Sequence, residues 1–156
     1  MEGKSVKYLR ASLPIIIVML LLPAPVAAED EKPSLYERLG GLKAISMVVD
    51  DFVDRLSTND ALNANPAIAA GRDTSPAPYL KVQLSVMVCQ AAGGPCHYTG
   101  LAMKESHAHL NITASEWQTM LDLFKTTLDK FSVPEAEQKE LFAIVESTKA
   151  DIVMME

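Results

Sequence analysis

The sequence predicts an all-α protein, and three observations carry that expectation. Ser or Thr is followed three residues later by Glu at Ser34…Glu37, Thr113…Glu116 and Ser132…Glu135. In that pattern the two side chains reciprocally satisfy the free N–H groups of a helix start. Apolar residues recur at three- and four-residue steps along several stretches, the mark of one buried helix face. No stretch beyond residue 29 alternates apolar and polar residues as a half-buried strand does.

In chain order, residues 1–28 read as a secretory signal peptide. Lys4, Lys7 and Arg10 form a basic start, Leu13 to Leu22 an uncharged apolar run of ten residues, and Val26-Ala27-Ala28 a small-residue cleavage site before Glu29. The run is short for a bilayer span, although an uncleaved anchor is the alternative. Cleavage after Ala28 leaves residues 29–156 as one domain and removes three basic residues and one acidic one, taking the net charge from −6 to −8. Such a chain lacks the clustered Lys and Arg that nucleic acid or an anionic membrane surface would attract. The expected location is the periplasm or the outside of the cell, with no membrane attachment after cleavage.

Ser34 to Leu39 is a short helix stopped by Gly40-Gly41. Ile45, Val48, Val49, Phe52 and Leu56 mark a helix from about Leu42 to Leu56. Residues 57–78, rich in Asn, Ala, Pro and Gly, read as a loop with at most short turns. Leu80, Leu84, Met87, Val88 and Ala91 define another helix, ended by Gly93-Gly94-Pro95, and Met103 to His109 is a short helical piece. Two long helices close the chain. One carries Trp117, Met120, Leu121, Phe124, Leu128 and Phe131, and the other Leu141, Ile144, Val145, Thr148 and Ile152. Four substantial helices can enclose a ligand between their faces.

A histidine at the end of a short helix, flanked by long apolar helices, can offer one imidazole to a buried metal or cofactor, and His107 stands there. His109, two residues on in a helix, would point about 200° away. His97, beside Cys96 in the loop, reads as solvent-facing. Cys89 falls on a helix and Cys96 in the loop after it. An oxidising compartment permits a disulfide between them, a buried free thiol at Cys89 is the other reading, and spacing alone does not choose. A zinc site from Cys89, Cys96, His97 and His107 matches no familiar ligand spacing. Met47, Met87, Met103 and Met120 lie on helical patterns as core filler.

The motifs carry a resemblance over nearly the whole of residues 29–156. Leu35-Tyr36-Glu37-Arg38-Leu39-Gly40-Gly41, the segment Val48 to Phe52, Gly93-Gly94-Pro95, Tyr98-Thr99-Gly100 followed by Met103-Lys104-x-x-His107, and a final helix pair with Val133-Pro134 between them occur in one order and register. Together they resemble the group 1 truncated hemoglobins. The resemblance implies a two-over-two helical sandwich around heme b, with His107 as the proximal iron ligand and Phe52, Val53, Leu80, Leu84, Tyr98 and Met103 around the heme. No Cys-x-x-Cys-His is present, so covalent attachment of the c type is not indicated.

Departures from the family pattern fall on the gas side. The tyrosine that commonly follows the second-helix Phe is Val53 here, the usual distal glutamine aligns with Leu84 beside Gln83, and Asn65-Pro66 stands where a Phe commonly faces the heme. A pocket of Val53, Leu80 and Leu84 has no donor for a bound gas unless Tyr79 or Gln83 swings in. The first expectation is therefore a heme b protein that binds O2, and NO or CO, at a histidine-ligated iron. Its role would be oxygen transport or gas handling. Enzyme activity is not implied, because NO dioxygenation needs an electron-donor reductase and no flavin or nicotinamide motif is present. One alternative is a heme redox, peroxidase-like or NO-detoxifying enzyme, for which Arg72 is the available loop cation. Another is a heme-free interaction module on the same fold.

Overall fold

The computed structural model describes Gly3 and residues 32–155. The leader assigned to residues 1–28 lies, Gly3 apart, outside the described residues. Helix α1 (Leu35–Arg38) starts on the expected capping box: the Ser34 hydroxyl accepts from the Glu37 N–H, and the Glu37 carboxylate accepts from the Ser34 N–H at 2.8 Å. Gly40 and Gly41 turn the chain at φ of +87° and +75°, values costly for any residue with a Cβ, into α2 (Gly41–Thr58).

After α2 the structure departs from the sequence reading. Residues 57–78 are not a loop but contain α3 (Asp60–Asn63) and α4 (Pro66–Thr74). Each has an asparagine cap. Asn59 accepts from the Leu62 N–H, and Asn65 accepts from the N–H groups of Ala67 and Ile68, with Pro66 in the first turn. The Asn-rich composition that reads as loop is thus two cap signals. Helix α5 (Ala77–Ala91) follows and packs along α2, clamped by Lys81, whose ammonium sits 2.7 Å from both Asp50 and Asp54.

Helix α6 (Met103–His107) is short, and α7 (Ala114–Lys130) starts on the second expected box, Thr113 with Glu116. The third box does not form. Ser132 takes φ of +52° in the turn after α7, and Pro134 is the cap residue of α8 (Glu135–Glu146), without a side-chain hydrogen bond. The last helix is also interrupted: α9 (Lys149–Ile152) is separate, and β2 (Val153–Met155) pairs in parallel with β1 (Ile112–Thr113). This two-strand clip ties the segment after α6 to the end of the chain.

The core has three clusters. Leu35, Ala92, Leu128 and Leu141 join α1, α5, α7 and α8, while Ile45, Val49, Val53 and Cys89 join α2 to α5. Ile112, Trp117, Leu121 and Ile152 gather around α7 and the strand pair. Leu128 is fully buried, so truncating it to alanine would cost about 2–5 kcal/mol through lost burial and a residual cavity. The Arg38 guanidinium, 2.6 Å from both Glu137 and Glu140, fastens α1 to α8.

Candidate functional site

The site begins with one imidazole. His107 ends α6 and is half-buried, with Nδ1 2.9 Å from the Met103 carbonyl one turn back and 2.9 Å from the Ser106 hydroxyl. A carbonyl only accepts, so Nδ1 carries the proton and Nε2 keeps a free lone pair. Burial holds the His107 pKa below the usual histidine value; the Met103 carbonyl opposes this and the neighbouring His109 adds to it. The ring is therefore neutral and oriented near neutral pH, the form a metal ligand requires.

His107 lines a cavity of about 510 Å³. Val53 and Leu56 of α2, Ile68 of α4, Leu80 of α5, and Trp117 and Met120 of α7 give it a mainly apolar lining. That size and character suit an apolar organic group. Its polar members are largely spoken for. Arg72 donates to the Leu56 carbonyl at 3.1 Å, Thr74 to the Gly71 carbonyl at 2.9 Å, and Ser106 to the Ala102 carbonyl at 2.9 Å. Burial raises the Glu116 carboxyl, but hydrogen bonds from the Thr113 N–H and hydroxyl and from Asn65 outweigh it and hold it below the usual value. Trp117, 2% exposed, leaves its indole Nε1 with no partner. A buried donor without an acceptor is costly in a closed core and fits a wall that an occupant covers.

Of the residues assigned to the site from sequence, the cavity brings together His107, Val53 and Leu80. Phe52 and Leu84 instead line a separate apolar cavity of about 70 Å³ with Val49, Val88 and Phe124, and the Phe52 ring centroid stands 5.2 Å from that of Phe124. Adjacent residues on a helix point about 100° apart, and here the rotation of α2 sends Phe52 toward Phe124 and Val53 toward the His107 cavity. Met103 packs beside Ile112 and Trp117 and serves His107 through its carbonyl. Tyr98 bends back on its own loop, its hydroxyl donating to the Leu101 carbonyl at 3.0 Å, and does not line the cavity.

Two further expectations change. The sequence turned His109 away as a helical neighbour of His107, but α6 ends at His107 and the turn closed by the Leu110 N–H on the His107 carbonyl at 2.9 Å brings His109 to the same cavity. Arg72 is no loop cation but a cavity-lining residue of α4. Trp117 and Met120 were legible only as core-facing positions, and Ile68 fell in the stretch read as loop; the Asn65-Pro66 cap was the signal that could have placed α4 against the site. Cys89 and Cys96 form a disulfide, so neither is a thiolate ligand.

Known proteins resemble this chain along its described length. A family model described as bacterial-like globin matches residues 34–154. A group 1 truncated hemoglobin of Tetrahymena thermophila is 25% identical over 78% of this chain and 95% of its own length. The group 1 truncated hemoglobin GlbN of Mycolicibacterium paratuberculosis is 27% identical over 74% of this chain and 80% of its own. Among solved structures, the Fe(III) form of truncated hemoglobin from Tetrahymena pyriformis superposes with a TM-score of 0.64 at 23% identity, covering 78% of this chain and 98% of the other. A cyanomet 2/2 hemoglobin with covalently attached heme, from a Synechococcus species, also gives 0.64, at 21% identity and the same coverage. The two-over-two helical arrangement is thus that of the truncated hemoglobins. With an oriented imidazole on an apolar cavity, the residues present fit a heme and its iron, the group around which this family binds small gases. The chain belongs to the bacterial-like globin family.

Proposed function

We propose that the protein is an exported, truncated-hemoglobin-like domain that binds O2, and NO or CO in its place, at a heme b iron held by His107. The observation that carries this reading is the fixed His107 tautomer: with Nδ1 on the Met103 carbonyl at 2.9 Å, the free Nε2 belongs to a ring that lines the large cavity. When bound, the heme iron supplies an open coordination position for a diatomic gas. Ser106 and Met103 keep the imidazole from rotating, while Val53 and Leu80 give the cavity apolar wall without offering a donor. Tyr79 is 51% exposed and neither it nor Gln83 lines the cavity, so neither supplies the absent hydroxyl or amide. Val53 and Leu80 thus leave their walls without a hydroxyl or amide, and the free donor on the α7 wall is the Trp117 indole N–H; O2 should leave faster than from tyrosine-bearing relatives, and discrimination against CO should be weaker.

Export is supported by the basic-then-apolar start of the sequence and by the Cys89–Cys96 disulfide, a bond that persists in oxidising compartments. The decisive experiment is an absorption spectrum of residues 29–156 supplied with heme, beside His107→Ala. A Soret band that shifts with CO, and collapses or changes in the variant, supports the reading. Failure to take up one heme per chain refutes it and leaves a heme-free interaction module. One observation favours a second reading: Arg72 lines the cavity, where a peroxidase-like site would use a cation. Rapid peroxide turnover that Arg72→Leu abolishes would move the assignment to a heme redox enzyme.

A further inference from the structure

The Cys89–Cys96 disulfide spans seven residues in sequence and joins two unlike places. Cys89 is fully buried in α5, packed with Ile45, Val49 and Val53. Cys96 is half-buried in residues 92–102, which run without helix or strand from α5 to the helix that ends in His107. Four hydrogen bonds tie that segment back to α5, three of them within the turn that ends the helix: the Ala92 N–H donates to the Val88 carbonyl at 2.9 Å, the Gly93 N–H to the Gln90 carbonyl at 3.1 Å and the Gly94 N–H to the Cys89 carbonyl at 2.8 Å, and beyond that turn the Tyr98 N–H donates to Gln90 Oε1 at 2.6 Å. Helix α6 has five residues, none of them buried, and no side-chain cap at its start. Downstream, the β1–β2 clip and the packing of α6 on α9 anchor it. Beyond Gly94, the covalent bond and the single Tyr98–Gln90 hydrogen bond are what fasten the His107-bearing segment to the helix that supplies Leu80 to the same cavity.

We propose that this disulfide is a redox-addressable tether for heme: closed, it holds the His107 segment against α5, and opened by a dithiol reductant, it lets the protein release heme faster. The proposal rests on His107 as the iron ligand. A reductant thiolate attacks Sγ of Cys96, the less buried sulfur, and the S–S bond breaks with its electron pair leaving on Sγ of Cys89, which takes up a proton. The reductant's second thiol then displaces Cys96 from the mixed disulfide, leaving two protein thiols and the reductant as its own disulfide. The Cys89 thiol remains among the apolar side chains that already surround it, so α5 keeps its packing and the loosening is confined to the segment before His107.

The test uses the heme-loaded protein in three forms: oxidised, reduced with dithiothreitol and then desalted anaerobically, and Cys96→Ser, which leaves the core cysteine in place. Two readouts are taken, the rate of ferric heme transfer to excess apomyoglobin and amide hydrogen exchange of residues 98–108. The reduced protein and the variant should both transfer heme about tenfold faster than the oxidised protein, a change of about 1.4 kcal/mol. Exchange should accelerate over 98–108 while α2 and α7 stay as protected as before. Unchanged heme transfer, once titration has found two free thiols, overturns the proposal. So do two thiols in protein never exposed to reductant, or accelerated exchange throughout α2 and α7. If the chain takes up no heme, the proposed function fails, and exchange at 98–108 still decides the tether: no acceleration on reduction overturns it.

Discussion

Val53→Tyr tests the chemistry of the cavity most directly. Val53 is 2% exposed, lines the 510 Å³ cavity and also packs with Ile45, Val49 and Cys89. A phenol there has room only toward the cavity, so its hydroxyl becomes the donor that this wall lacks. A hydrogen bond to a partner carrying partial charge contributes about 1.5–3 kcal/mol. At about 1.4 kcal/mol per factor of ten, O2 dissociation should slow by about 10- to 100-fold. The larger ring will also cost about 1–3 kcal/mol of stability through overpacking, which thermal unfolding of the same samples measures. Stopped-flow displacement of O2 by CO gives the dissociation rate, and Val53→Phe separates hydroxyl from bulk. The reasoning is refuted if the phenylalanine variant slows dissociation as much as the tyrosine. It is refuted equally if the tyrosine has no effect, because a donor would then already be at work in the native cavity.

Three other predictions rest on separate parts of the fold. Hydrogen bonds from Lys130 and then Arg55 hold the Asp51 carboxyl below the ordinary aspartate range, against a smaller opposing effect of burial. Its stabilisation is therefore complete above that range and lost as the pH falls below it through the lowered folded value; Asp51→Asn should lower the Tm by about 4 °C at pH 7, a loss of about 1 kcal/mol, and by nothing near pH 2, with a pH-independent difference counting against the assignment. A Cβ at Gly94 would stand 2.4 Å from the Tyr36 ring and 2.8 Å from the Cys89 carbonyl oxygen, so Gly94→Ala should cost about 2 kcal/mol by chemical denaturation, and an unchanged midpoint would contradict that close approach. Trp117 is the single tryptophan of the chain and lines the cavity, so its emission should be quenched on heme titration with an endpoint at one heme per chain, and emission that ignores heme would put the cofactor elsewhere.

What the sequence determined by itself was local. The boxes at Ser34 and Thr113 form because each closes within a single turn, and the apolar faces of α2 and α7 follow from 3.6-residue periodicity, whereas α5 buries Ser85 and Cys89 and leaves Leu80 and Ala91 of its expected face exposed. His107 was legible from its position after Met103-Lys104-Glu105-Ser106, and the carbonyl that fixes its ring lies one turn back in the same helix. What only the tertiary structure decided depends on partners far along the chain. Helix α4 is held by the Asn65 amide donating to the Leu110 carbonyl at 3.0 Å and by Arg72 donating to the Leu56 carbonyl, contacts absent from the composition of residues 57–78. Ser132 lost its capping role because the turn from α7 to α8 required a left-handed residue there. Which of Phe52 and Val53 meets the cavity, whether His109 joins it, and whether Cys89 meets Cys96 were settled by how α2, α5 and α7 pack. Hydrogen bonding within one turn fixes a helix and its cap, whereas a site assembled between helices is fixed by packing that joins residues distant in sequence.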